Sequence, residues 1–175
     1  MTRITKNICL CIACFSALVV SGCVQTSMMY RGQLASPEHV VALQEGGPIT
    51  GTWETFDITI QYEYVQGENV FEIKGQIAVG DSHQSLYTRL NFLETYLHFL
   101  DQDSRVLLTA DLVSSYNYGI DNFFRFSQPF SRSFNLPSAA ASFTFGYRGE
   151  VCEGRPRQCI FFHQFPWHYA KPTGL

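Results

Sequence analysis

The sequence predicts a mainly β fold: an antiparallel β-sandwich of the immunoglobulin-like kind, with about seven strands and one short N-terminal helix. Three observations predict it. Phe56, Ile58, Ile60, Tyr62 and Tyr64 alternate with Asp57, Thr59, Gln61 and Glu63, the period of two that marks a half-buried strand. Turn signals recur roughly every 8–15 residues from Thr52 onward. No amphipathic helices alternate with the strands, so a parallel sheet built on crossovers is not expected. A small β-barrel, open or closed, is the alternative that one-sided strands also fit.

The elements follow in order. Ser36, Pro37 and Glu38 are start signals for a helix, and Gly46, Gly47 and Pro48 are stop signals. About eight residues lie between them, too few to be helical without packing from Val40, Val41 and Leu43. The alternating run 56–64 is joined through Gly67-Glu68-Asn69 to Phe71, Ile73, Ile77 and Val79, which makes a hairpin. Gly75 within the second run signals a bulge or a close backbone approach. Gly80-Asp81-Ser82 breaks the chain, and residues 85–100 form one bent strand or two short ones.

Asp101-Gln102-Asp103-Ser104 divides Tyr96–Leu100 from Val106–Leu112, a second hairpin. Residues 114–122 read as a loop. Pro129 makes Phe123–Phe134 an edge strand or a bent one, because a central strand holds proline poorly. Asn135-Leu136-Pro137-Ser138 turns the chain into the alternating strand of Ala141, Phe143, Phe145 and Tyr147. The segment Ile160-Phe161-Phe162-His163 follows, and the aromatic tail Phe165-Pro166-Trp167-His168-Tyr169 is expected to dock on the domain.

Charge is uneven. Residues 23–124 carry four Lys/Arg against 13 Asp/Glu, whereas residues 125–175 carry six against Glu150 and Glu153. The simpler reading is self-complementarity, with basic late strands paired to acidic early ones. The other is an interaction surface. Nucleic acid is not an expected partner of a chain with net charge −3.

The N-terminus carries Arg3 and Lys6, then 13 uncharged residues from Ile8 to Val20, and then Ser21-Gly22-Cys23. That apolar run is shorter than a bilayer span of about 20 residues and fits a signal-peptide core of about 7–15. The arrangement resembles the signal peptide and lipobox of bacterial lipoproteins. The resemblance implies cleavage before Cys23, a diacylglycerol on its thiol and an acylated amino group. Residues 1–22 are then a signal peptide, 23–35 a lipidated tether and 36–175 one β-rich domain. Two or three acyl chains hold a protein stably on a leaflet. Val24 stands where inner-membrane lipoproteins of enteric bacteria often have aspartate, so the resemblance implies a periplasm-facing protein of the outer membrane. Leu97–Leu107 and the later Phe143-Thr144-Phe145-Gly146-Tyr147-Arg148-Gly149 also resemble, loosely, β-rich envelope lipoproteins of Gram-negative bacteria. That likeness implies no activity.

Of six cysteines, Cys9, Cys11 and Cys14 leave with such a signal peptide and Cys23 is used by lipid. Cys152 and Cys159 remain, an even pair in an oxidising compartment, and a disulfide is expected. With His163 and His168 they also follow the spacing C-x6-C-x3-H-x4-H, which has the donor set for tetrahedral zinc. The gap between the cysteines is wider than a usual zinc knuckle, and oxidised sulfur is no thiolate ligand, so no metal or other cofactor is expected.

Asp101-x-Asp103 opens like a calcium loop, but Val106 and Leu112 stand where glycine and glutamate are needed. No Gly-x-Ser-x-Gly or Cys–His signature surrounds any serine or histidine. His98, between apolar neighbours, reads as a sheet residue rather than a base, and Glu63 with Glu72 as ordinary strand-face carboxylates. The late aromatics, among them Phe130, Phe134, Phe161 and Phe162, suit a core between two sheets; beside Arg125, Arg132, Arg155 and Arg157 they would alternatively make a glycan- or protein-binding face. The loop Glu153–Gln158 has no large apolar residue to bury, so Arg155 and Arg157 are expected as exposed contact residues. These features point to a non-catalytic envelope module for binding or assembly. A carrier of a small apolar ligand inside a barrel is the alternative.

Overall fold

The computed structural model of the chain describes residues 26–28, 30–116, 127–153 and 158–165. They form two antiparallel sheets. The strands are β1 (Thr26–Ser27), β2 (Val41–Ala42), β3 (Gly46–Glu54), β4 (Ile58–Gln66), β5 (Val70–Val79), β6 (Arg89–Leu100), β7 (Val106–Tyr116), β8 (Ser127–Asn135), β9 (Ser142–Glu153) and β10 (Gln158–Gln164), with a six-residue helix α1 (Asp81–Leu86) between β5 and β6. One sheet runs β3-β4-β5-β8. The other runs β1-β7-β6-β9-β10, with β2 also paired to β9. Among the described residues no ladder joins the two sheets, so they are not closed into a barrel.

The sheets face each other across an aromatic core. Alternation in β4 turns Ile58, Ile60, Tyr62 and Tyr64 inward, and β5 adds Phe71, Ile73, Ile77 and Val79. Phe99 of β6 and Phe143 and Phe145 of β9 oppose them. Ring centroids lie 5.2 Å apart for Phe71–Phe99, 5.3 Å for Tyr64–Phe143 and 5.4 Å for Tyr62–Phe145. Such spacings add about 0.5–1.5 kcal/mol per pair beyond area burial. Phe130 and Phe134 of β8 and Phe162 of β10 are buried as well, the core role expected of the late aromatics, whereas Phe161, expected there too, is 70% exposed. Gly75 is a close approach: a Cβ there would lie 2.0 Å from the Gln61 carbonyl oxygen. Pro129 sits in β8, an edge strand, one of the two placements expected of it.

Several local expectations are corrected. The helix expected from Ser36 is a single 3₁₀ turn, Pro37–His39. The Ser36 hydroxyl makes no cap and instead donates to Glu38 Oε1 at 3.0 Å. Val41 and Ala42 pair with Phe143 and Ser142 on a stretch of β9 that β10 does not cover, so β-branched Val41 continues as strand. Gly46, Gly47 and Pro48 belong to β3, with a register irregularity between Gly46 and Ile49 that accommodates the proline. Phe56, expected as an inward strand residue, lies in the β3–β4 turn and is 77% exposed.

Residues 26–35, expected as a tether, are bonded to the domain. Thr26 and Ser27 pair with Ala110 and Thr109. Gly32 N–H donates to the Val106 carbonyl at 2.8 Å, Val106 N–H to that of Gln33 at 2.9 Å, and Ala35 N–H to that of Ser104 at 2.8 Å.

Candidate functional site

Four structures meet at one end of the sandwich: the β3–β4 turn, α1, the start of β6 and the far end of the β9–β10 hairpin. Asp57 accepts a 2.6 Å bond from the Gly80 N–H through its carbonyl, which brings the turn to the start of α1. Thr88 N–H donates to the Cys152 carbonyl, and Arg89 pairs with Cys152 in the ladder. Cys152 and Cys159 are direct partners across β9 and β10 and form a disulfide. Glu150 is close to both sulfurs, but bonded sulfurs offer no thiolate, so this acid–cysteine group is not a metal site.

A polar network supports this end. His83 Nε2 donates to Asp57 Oδ1 at 2.7 Å, and the Tyr147 hydroxyl donates to Asp57 Oδ2 at 2.6 Å. Thr55 Oγ1 lies 3.0 Å from the same hydroxyl and accepts from the Asp57 and Ile58 amides, which fixes the turn. Burial, and then the bond to Asp57, raises the Tyr147 phenol above its ordinary value. The His83 ring is enclosed by Phe56, Tyr87 and Phe162, at centroid distances of 6.1, 6.0 and 4.9 Å. An acid–imidazole pair also occurs in hydrolase triads, but there the acid bonds Nδ1 and leaves Nε2 for the nucleophile, whereas Asp57 meets Nε2 of His83. Among the described residues no nucleophilic hydroxyl or thiol is hydrogen-bonded to that ring. The pair clamps α1 to the β3–β4 turn. Above it Phe56 is 77% and Leu86 64% exposed, two large apolar side chains on a supported surface.

A second network lies on the outer face of the sheet that holds β6. Along β6 the side chains Phe92, Glu94, Tyr96 and His98 turn away from the core. Arg148 of β9 donates from Nε to Glu94 Oε2, and the Tyr96 hydroxyl donates to the same oxygen at 2.5 Å. Burial, then Glu94, raises the Tyr96 phenol. The bond to Glu94 raises Arg148. Asp111 is also raised, by burial and then by the Glu94 charge. His98 is fully buried and bonds through Nδ1 to Thr109 Oγ1 at 2.9 Å. Burial pushes its pKa down to about 3, which keeps it neutral. That suits the sheet residue expected of it. Gly146 makes room: a Cβ there would lie 2.7 Å from His98 Nε2.

Among the other sequence candidates, Glu63 and Glu72 line one concavity with Lys74 and Arg132. Glu63 pairs with Lys74, Nζ to Oε1 2.8 Å, while Glu72 stands opposite Val65. Asp101 Oδ1 accepts from the Asp103 and Arg105 amides, so it closes a turn. Cys23, Arg155, Arg157 and His168 lie outside the described residues. Sequence reading missed both networks, because each joins segments far apart in the chain. The outward row at alternate positions of β6 was the only local trace of the second.

Compared with known proteins, the chain matches no family model, no curated protein and no solved structure.

Proposed function

We propose that this protein is a non-catalytic, membrane-anchored lipoprotein of the bacterial envelope that acts as a binding or assembly module. The anchor rests on the lipobox-like segment ending at Cys23. The observation that carries the binding role is the supported end of the sandwich: Phe56 and Leu86 are exposed on a turn and helix held by the Asp57–His83–Tyr147 network. Exposed apolar side chains on rigid supports suit recognition of a protein partner, since little ordering cost opposes binding. The roots of the loop that carries Arg155 and Arg157 are at this end too, and these arginines would supply a cationic rim. A glycan is the other partner class for such a face.

We read the topology as immunoglobulin-like. In support, β5 pairs with β8 in one sheet and β6 with β9 in the other, so that the chain passes between the sheets from β5 to β6 and again from β8 to β9. Binding through the loops at one end is common in such sandwiches. The carrier reading required a barrel lumen, whereas rings fill the space between these sheets. An outer-membrane, periplasm-facing location accompanies the anchor reading.

The test is site-specific photocrosslinking in cells, with the probe at position 56 or 86 and a control probe at Lys74, an exposed position in the middle of β5. The expected result is one envelope partner crosslinked from 56 and 86, absent from 74, and lost in Phe56→Ser/Leu86→Ser with the melting temperature retained. Equal crosslinking from all three positions would reject the site.

A further inference from the structure

We infer that the segment after Cys23 is a strap, not a tether, and that it lays the β7 flank of the domain against the membrane surface. The inference rests on the lipoprotein reading of Cys23. A tether of a dozen residues would let the domain move away from the bilayer. Here the chain is bonded to β7 from Thr26 onward. Three residue steps separate Cys23 from Thr26, and at about 3.6 Å per residue they span about 11 Å at full extension.

Thr26 stands opposite Ala110, and β7 continues from there to Tyr116. Six residues of strand cover about 20 Å. The acylated cysteine is therefore restricted to the flank of the sandwich and does not reach the end that carries Phe56 and Leu86. The attachment is continuous. Backbone bonds run through Gly32, Gln33 and Ala35, and the Tyr30 ring packs on His98 and Phe165 at 5.9 and 5.5 Å.

The strap's outer surface suits a headgroup layer. Met28 is 63% and Leu34 46% exposed, and Arg31 and Arg105 are exposed beside them. Arg31 reaches the Met28 sulfur, and Arg105 Nη1 donates to the Gly32 carbonyl at 3.1 Å. Apolar tips that enter the interface, with guanidinium groups at phosphate level, are the chemistry of interfacial binding. The adjoining β6–β7 turn also carries Asp101, which accepts two amides of that turn, and exposed Asp103, so the guanidinium groups share this edge with two carboxylates. The occupant of this flank is thus the bilayer that holds the anchor. The partner-binding end is left free, and its partner must lie at or near the same membrane.

The test uses the full-length acylated protein in vesicles of phosphatidylethanolamine and phosphatidylglycerol. A fluorophore is placed through Ser114→Cys on β7 or Lys74→Cys on β5, both exposed positions, and headgroup-nitroxide lipids are the quencher. Quenching at 114 should exceed that at 74 at least twofold. A Gly-Ser insert of about 12 residues between Val24 and Gln25 should reduce the difference by restoring reach. Equal quenching at the two sites, with acyl chains present on Cys23 by mass, would overturn the strap inference alone. A Cys23 peptide without acyl chains would overturn the lipoprotein reading and the inference with it.

Discussion

Arg148 and Glu94 are direct register partners across β9 and β6, and the guanidinium donates to a carboxylate that is almost wholly buried. In this pair a late arginine meets an early glutamate, as self-complementary charge would have it, whereas Arg132, the other late arginine among the described residues, donates to the Ser131 carbonyl. Arg148→Ala leaves that carboxylate with the Tyr96 hydroxyl as a remaining donor. The cost should be about 2 kcal/mol, below the 3–5 of a fully buried pair because the Arg148 side chain is 55% exposed. Adding Glu94→Gln should recover about 1 kcal/mol, since a neutral amide is cheaper to leave unpaired. Urea denaturation of the two variants checks this. A neutral Arg148→Ala would contradict it.

His98 sets a pH dependence. Its folded pKa is pushed down to about 3 by burial, below the ordinary 6.5 of the unfolded chain. The unfolded state therefore takes up a proton that the folded state refuses. The stability this contributes is present above pH 6.5 and falls as the pH drops toward 3, by roughly 1 kcal/mol per pH unit. His98→Gln lacks this dependence. The gap between wild type and variant should narrow steadily from pH 7 to pH 4 in denaturant titrations. A constant gap would show that His98 takes up its proton equally in the folded and unfolded chain, and so is not shifted by burial.

Close packing beside that ring gives a steric prediction. Gly146→Ala places a methyl group 2.7 Å from His98 Nε2 and 3.3 Å from the Gln164 carbonyl oxygen. Overpacking of this kind costs about 1–3 kcal/mol. If the glycine were only a flexible site, alanine would stabilise, and thermal unfolding distinguishes the signs.

The Cys152–Cys159 bridge closes a short loop, for which chain entropy gives about 2.5 kcal/mol. Cys152→Ser/Cys159→Ser should lose about that much. Both thiols of the wild type should resist alkylation until reduced. Reactive thiols in the native protein would contradict the bridge.

The legible parts of this fold were the local ones. Tyr62 and Tyr64 face inward because a strand's period shows within nine residues, and Pro129 marks an edge because it has no N–H to donate. The cysteine pair was legible from compartment and count. Failures came where a distant partner decides. Ser36-Pro37-Glu38 supports one 3₁₀ turn, but the free edge of β9 captures Val41 and Ala42. Residues 26–35 have no clean period, so nothing in them announced Val106 and Ser104 as partners. The helix α1 was read as a break, since six residues from Asp81 to Leu86 carry too little pattern. Asp57, His83 and Tyr147 come from three separate elements, and no spacing links them.

Whether Cys23 begins a lipid-anchored envelope protein is decided by mass spectrometry of the N-terminal peptide from the membrane-extracted protein. The expected peptide begins at Cys23 and carries a diacylglyceryl thioether and an N-acyl chain, both absent from Cys23→Ser. A mature N-terminus elsewhere, or an unmodified Cys23 thiol, would contradict the lipoprotein reading.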